Sequence, residues 1–144
     1  MLIFPSINQL KESKSTGSFT ATLPPDIPAI PKEFVAGHVM LSWSDKVTLH
    51  AAEKESDPVN TIFTFVMPSG LTTGTYDIGV SLDPNVVLAG MMWSPSFEGP
   101  GYFYAGFNGF IYVNYLKEEG RLQGRFVFDT IGSKKFEGKF DIIR

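Results

Sequence analysis

The chain has 144 residues, 43% of them hydrophobic and 19% charged, with a formal net charge of −3 and no cysteine. That length and balance fit one globular domain able to bury a full core, and they exclude an intrinsically disordered chain. The lack of cysteine excludes disulfides, thiolate metal sites and cysteine nucleophiles.

Charge is unevenly laid out. Residues 1–54 carry five acids and five bases, and residues 117–144 carry five acids and seven bases. Residues 55–116 hold Glu55, Asp57, Asp77, Asp83 and Glu98 and no Lys or Arg. A phosphate backbone is held by clustered Lys and Arg that displace its counterions. No such stripe exists, so nucleic acid is not an expected partner. No apolar run approaches the ~20 residues of a membrane-spanning helix. The opening MLIFPSINQLKES lacks the basic n-region and long apolar stretch of a signal peptide. The expected address is therefore cytoplasmic, with export of a mature form restarted at Met as the alternative.

In chain order, PSINQLKESK (5–14) offers at most a few helical turns. The first predicted strand is Ser18–Leu23. LPPDIPAIPKEF follows, and its prolines favour extended backbone with few ladder donors, as in a crossover or a segment wrapping an edge. Gly37–Trp43 and Val47–Ala52 then alternate cleanly. A three-residue loop, Ser44–Asp45–Lys46, pairs Trp43 with Val47, Leu41 with Leu49 and Val39 with Ala51. A two-residue loop would mix the faces, and a one-residue slip exposes the whole buried set. The same register points His38 and His50 away from the core as solvent-exposed diagonal neighbours, a poor arrangement for a metal without a third ligand. No metal or cofactor is expected.

Further strands are predicted at Thr61–Val66, Thr75–Leu82, Val87–Trp93, Tyr102–Phe107, Phe110–Leu116, Leu122–Phe128 and Phe136–Ile143. Turn residues separate them; Asp83-Pro84-Asn85 reads as a turn before it reads as oxygen ligands for Ca²⁺. Roughly ten strands at this spacing indicate an all-β domain. The expected fold is a two-sheet antiparallel sandwich of about nine to ten strands, with a distorted barrel as the alternative.

The run GYFYAGFNGFIYVNY (101–115) carries large apolar groups at odd and even positions and no charge. With KEEGR as the following turn, Leu116 faces Leu122, Asn114 faces Gly124, Tyr112 faces Phe126 and Phe110 faces Phe128. That places Phe110, Tyr112 and Asn114 inward. Ile111, Val113, Tyr115 and Val127 are left on a second apolar face, to be covered by the chain's own segments, a second subunit or a ligand.

Six segments share a pattern of Gly, any residue, then an aromatic or Ile: GSFTA, GTYDI, GYFYA, GFIYV, GRFVF and GKFDI. Glycine ending a turn or making a bulge before alternation begins accounts for it. The C-terminal stretch GFIYVNYLKEEGRLQGRFVFDTIGSKKFEGKFDI, with GTYDIGVSL upstream, resembles small bacterial β-sandwich domains of unknown function that close with two Gly-x-Phe strands. The resemblance covers roughly residues 70–142 and implies an all-β fold with no catalytic set.

No G-x-S-x-G elbow, phosphate loop or dinucleotide fingerprint occurs. Glu118 and Glu119 are adjacent and sit in the expected hairpin turn. The first expectation is thus a non-catalytic interaction module, recognising a protein surface or its own copy through Ile111, Val113, Tyr115 and Val127. A carbohydrate-binding module is the second, with Trp93, Tyr102 and Tyr104 stacking on sugar rings and Asn108 adding a directional polar contact. A hydrolase with paired carboxylates is the third.

Overall fold

Alternation of apolar and polar residues gives a strand at each of the ten places where the sequence predicts one. In the computed structural model, which describes residues 4–5, 7–27, 32–53, 60–81, 83–94 and 101–144, the strands are β1 (Thr16–Thr22), β2 (Glu33–Trp43), β3 (Val47–Glu53), β4 (Asn60–Met67), β5 (Gly74–Ile78), β6 (Leu88–Ser94), β7 (Tyr102–Ala105), β8 (Asn108–Leu116), β9 (Arg121–Asp129) and β10 (Lys135–Ile143). They form one sheet in the order β5-β8-β9-β10-β1-β2-β3-β4-β6-β7. The sheet curls into a half-barrel, so the barrel alternative describes the molecule and two separate sheets do not.

The two halves stay continuous because β2 belongs to both. Its first residues pair with β1, as in Ala21 with Phe34. Its remainder pairs with β3, and the register shifts between Ala36 and His38. Burial changes parity across this irregularity: Phe34 is buried before it, and Val39 and Leu41 after it. An extra residue on one strand bends the ladder and re-aims its side chains, which lets the same strand line the interior on both sides of the corner. The margins of the curl also meet. Gly106 donates to Ala89 O and the next amide, Phe107, to Asp129 O, both at 2.8 Å. Ile78 makes a parallel bridge with Val87 beside them.

The interior is filled by rings. Phe19, Phe63, Phe65, Phe126, Phe128 and Phe136 pack with centroids between 4.8 Å (Phe65 to Phe126) and 6.5 Å (Phe63 to Phe65). Two Gly-x-Phe segments make this density possible, in a way the turn-or-bulge reading misses. Gly124 pairs directly with Phe140, and Phe126 with Gly138. A Cβ on Gly124 would lie 2.7 Å from the Phe140 ring and 2.3 Å from Tyr112 O, and a Cβ on Gly138 would lie 2.7 Å from the Phe126 ring. Each strand seats the other's ring over its own bare backbone. Gly124→Ala therefore overpacks a filled layer, a change that costs about 1–3 kcal/mol. Equilibrium urea denaturation should show a lowered midpoint, and an unchanged midpoint would refute the seating argument.

The β2–β3 hairpin has the predicted register, with Trp43 opposite Val47 and Leu41 opposite Leu49. The β8–β9 hairpin does not. Its loop is four residues, Lys117–Gly120: a 3₁₀ turn over Lys117–Glu119 closes at Gly120, whose φ of 63° is left-handed, and Arg121 enters the strand. Arg121 is kept there by a two-pronged ion pair with Asp141 on β10, Nε to Oδ1 at 2.8 Å and Nη2 to Oδ2 at 2.6 Å. Register slips by one, so Ile111 faces Phe126 and Val113 faces Gly124. One residue reverses every side chain of a strand. Ile111 and Val113 are completely buried, and Phe110 and Tyr112 point outward. Asn114, expected inward, also points outward and donates to Gln123 Oε1 at 3.1 Å.

A short helix, α1 (Ile7–Glu12), covers part of the outer surface of the β2–β3–β4–β6 half. Leu10 is 1% exposed and packs with Ala52 and Ile62, flanked by Phe4, Met40 and Met92. His50 shares this outer surface and is buried, its Nδ1 3.0 Å from Thr64 Oγ1. The expectation of an outward, solvated His50 is corrected: it does leave the core side, but the surface it joins is covered. Part of the proline-rich segment, residues 28–31, lies outside the described residues. Before it, Ile27 is 5% exposed and joins the main core, and Asp26 forms an ion pair with Lys134 from the β9–β10 connection.

Candidate binding face

On the outer surface of β5, β8, β9, β10, β1 and the start of β2, register aligns side chains in rows. One row reads Asp77, Phe110, Val127, Glu137, Thr22 and Glu33. The next reads Thr75, Tyr112, Arg125, Lys139, Thr20 and Val35. Phe110 is 44% exposed, Tyr112 38% and Val35 67%. The Arg125 guanidinium lies 5.9 Å from the centre of the Tyr112 ring, and the Thr22 hydroxyl donates to the Glu33 carboxylate at 3.3 Å. Across the two rows runs a groove of about 490 Å³, with Phe110 and Val127 among its walls and Gly138 at its floor. A further polar row borders it: Asn114, Gln123 and Asp141 are joined by hydrogen bonds of 3.1 and 3.2 Å, and Arg121 holds the Asp141 carboxyl below the usual carboxylate range. The rings of this face sit on β8, and charged and hydroxyl side chains continue it across β10 and β1.

Of the residues expected to form an interaction surface, only Val127 lies on this face, where it is half-buried. Ile111 and Val113 belong to the core, for the register reason given above. Tyr115 is partly buried at the far end of β8, its ring stacked on Trp43 with centroids 5.6 Å apart. The Arg144 guanidinium caps that pair, 4.8 Å from the Trp43 ring. The face is thus built by the alternate residues of β8, and Phe110, Tyr112, Arg125 and Lys139 are its missed members. One signal was available. Of the two alternating sets in β8, that of Phe110 and Tyr112 contains Asn114, and the set of Ile111, Val113 and Tyr115 contains no amide, so the latter is the better core.

The aromatics expected to stack on a ligand fall elsewhere. Trp93 and Tyr102 are cross-strand partners with ring centres 5.4 Å apart. Trp93 is 8% exposed and Tyr102 49%. Tyr104 follows on the same strand, against the Phe136 ring at 5.6 Å. Burial pushes the Tyr104 hydroxyl above its ordinary pKa, with Lys134 pulling the other way. Asn108 is separate, opening β8 opposite Asp129. So three of the four come together and Asn108 does not. Thr61 pairs with Trp93 and donates from its amide and hydroxyl to Glu53. Burial raises the Glu53 carboxyl above the usual carboxylate range, with those two contacts opposing it. Glu53 Oε1 and Trp93 Nε1 are both buried without a hydrogen-bond partner. Carboxyl pairing of the hydrolase kind is split between two places: Glu33 and Glu137 share the groove, whereas the carboxyl with raised pKa is Glu53.

Among the described residues, no three His, Cys, Asp or Glu side chains converge as a metal-binding group, and no helix is long and apolar enough to cross a membrane. Comparison of the chain with protein-family models, curated proteins and solved structures finds no match.

Proposed function

We propose that the chain is a non-catalytic interaction module that docks a protein surface through the outer rows of β8, β9, β10 and β1. The reading is carried by one observation: Phe110 and Tyr112, two large rings on adjacent outward positions of a sheet, stand open to solvent between charges of both signs. Aromatic and Arg side chains dominate binding energy at such surfaces, and isolated apolar residues do not. Regular strands hold the rings, so docking orders little backbone. The test is a photo-crosslinker, p-benzoylphenylalanine, installed in place of Tyr112 in the chain expressed in its own cells. A discrete protein adduct that disappears when Phe110→Arg is added supports the reading. Failure to form any adduct refutes it.

A second reading has its own observation. Trp93 Nε1 is a donor left unpartnered, and the Trp93 ring lies against the half-exposed Tyr102 ring with centres 5.4 Å apart. Neighbouring aromatic planes with an unpaired indole N–H suit a saccharide, whose C–H face stacks on a ring while a hydroxyl hydrogen-bonds. Binding is read by quenching of tryptophan fluorescence across a glycan panel, and Tyr102→Ala should abolish it. A panel without a single hit removes this reading and leaves the first untouched.

A further inference from the structure

We infer that the partner of the outer face is a second copy of this chain, docked face to face about a two-fold axis perpendicular to the strands and midway between the two rows. The inference rests on the docking reading above and deepens it. Closed two-fold pairs are the commonest homo-oligomers, and each residue then meets a residue of the same patch. The rows of this sheet are suited to such an exchange. A two-fold in that position lays the row of Asp77, Phe110, Val127, Glu137, Thr22 and Glu33 over the row of Thr75, Tyr112, Arg125, Lys139, Thr20 and Val35 of the other copy. Phe110 meets Tyr112, Glu137 meets Lys139 and Thr22 meets Thr20, each pair twice over.

Other two-folds do worse. An axis along β10 sets Glu137 against Glu137 and Lys139 against Lys139. An axis along β9 sets Arg125 against Arg125 and Glu137 against Phe110. Like charges directly opposed across an interface are disfavoured, and opposite charges fix its register. Acids populate one row (Asp77, Glu137, Glu33) and bases the other (Arg125, Lys139), and only an operation that exchanges rows turns this segregation into attraction.

Strands of up to nine residues, six of them side by side, give this outer surface at most about 700 Å² at about 3.4 Å per residue and 4.8 Å per strand, and the curl of the sheet concentrates contact on the strands nearest the axis. A standard interface takes about 800 Å² from each partner, so the pairing belongs to the weak, reversible class. The hydrogen-bonded row of Asn114, Gln123, Asp141 and Arg121 then forms a polar rim.

Sedimentation velocity over a wide concentration range tests the arrangement in the full chain. The wild type should show a concentration-dependent dimer. Phe110→Arg should weaken it by more than about tenfold, as loss of a large aromatic anchor does. Lys139→Glu should also weaken it, because the introduced carboxylate would face Glu137 of the other copy twice over. Adding Glu137→Lys to Lys139→Glu should restore the dimer, with the ion pairs reversed. Circular dichroism of each variant separates lost association from lost folding. A wild type that stays monomeric, or a dimer indifferent to both single variants, overturns self-pairing through this face. The crosslinker at position 112 tells that failure apart from failure of the docking reading. An adduct to a different protein keeps the docking reading and overturns the self-pairing, an adduct between two copies supports both, and absence of adduct ends both.

Discussion

Phe126→Ala should destabilise the protein by about 3–5 kcal/mol, the range for truncating a buried aromatic ring. Phe126 is 3% exposed and lies in the middle of the ring cluster, 4.8 Å from Phe65, 5.5 Å from Phe19, 5.9 Å from Phe128 and 6.0 Å from Phe63. Those four neighbours come from β1, β4 and β9, so the ring joins both halves of the curled sheet. It also fills the space above Gly138, where no side chain exists to relax into the cavity. Cavities that cannot collapse give the upper part of the range. For a chain of this size the loss corresponds to a fall of very roughly 10–15 °C in melting temperature. Thermal unfolding followed by circular dichroism checks it, and a fall of only a degree or two would show that the cluster is not the main source of stability. Phe126→Leu, which keeps much of the volume, should lose markedly less.

Acid should unfold the protein through His50. Burial lowers its pKa from 6.5 to about 4. The folded chain therefore keeps the imidazole neutral at pH values where the unfolded chain already binds a proton. Proton uptake by the unfolded state makes stability fall as pH falls. The loss begins near pH 6.5, grows down to about pH 4 and is complete below it, amounting to roughly 3 kcal/mol at 1.36 kcal/mol per pH unit. His50→Gln keeps a polar partner for Thr64 and cannot take the proton. Urea titrations of both proteins between those pH values should give converging stabilities as the wild type loses its advantage. Parallel curves would show that the imidazole does not govern the acid limb.

Most of the architecture was legible in residue alternation, and the failures trace to single residues. Where a loop was bracketed by unambiguous apolar sets, as Ser44–Lys46 is by Trp43 and Val47, parity alone determined the pairing. At β8 both sets are largely apolar, and Asn114 alone distinguishes them. The outcome turned on Gly120, which adopts the left-handed conformation that closes a four-residue loop, and on Arg121, which is held in the strand by Asp141 twenty residues away. A contact so distant in sequence leaves no local trace. The same limit applies to His50, placed on the right side of its strand but judged solvated. Its burial follows from the packing around it, which alternation within β3 does not encode. The two-sheet expectation failed for a related reason: a corner within β2 is one extra residue in a strand that otherwise alternates normally. The face of Phe110 and Tyr112 was missed because the register around it was missed, although the sequence rightly marked that strand as apolar on both sides.

The hydrogen bonds of Gly106 and Phe107 reach Ala89 on one half and Asp129 on the other from neighbouring peptide groups. The two halves have no independent seam there: freeing either one strips an amide from the other, and at the opposite corner β2 imposes the same linkage. Native-state hydrogen exchange should consequently find β4 and β9 opening together, in a single event with the full free energy of unfolding. Partial melting should then be confined to the periphery, with the ten strands giving way as one piece.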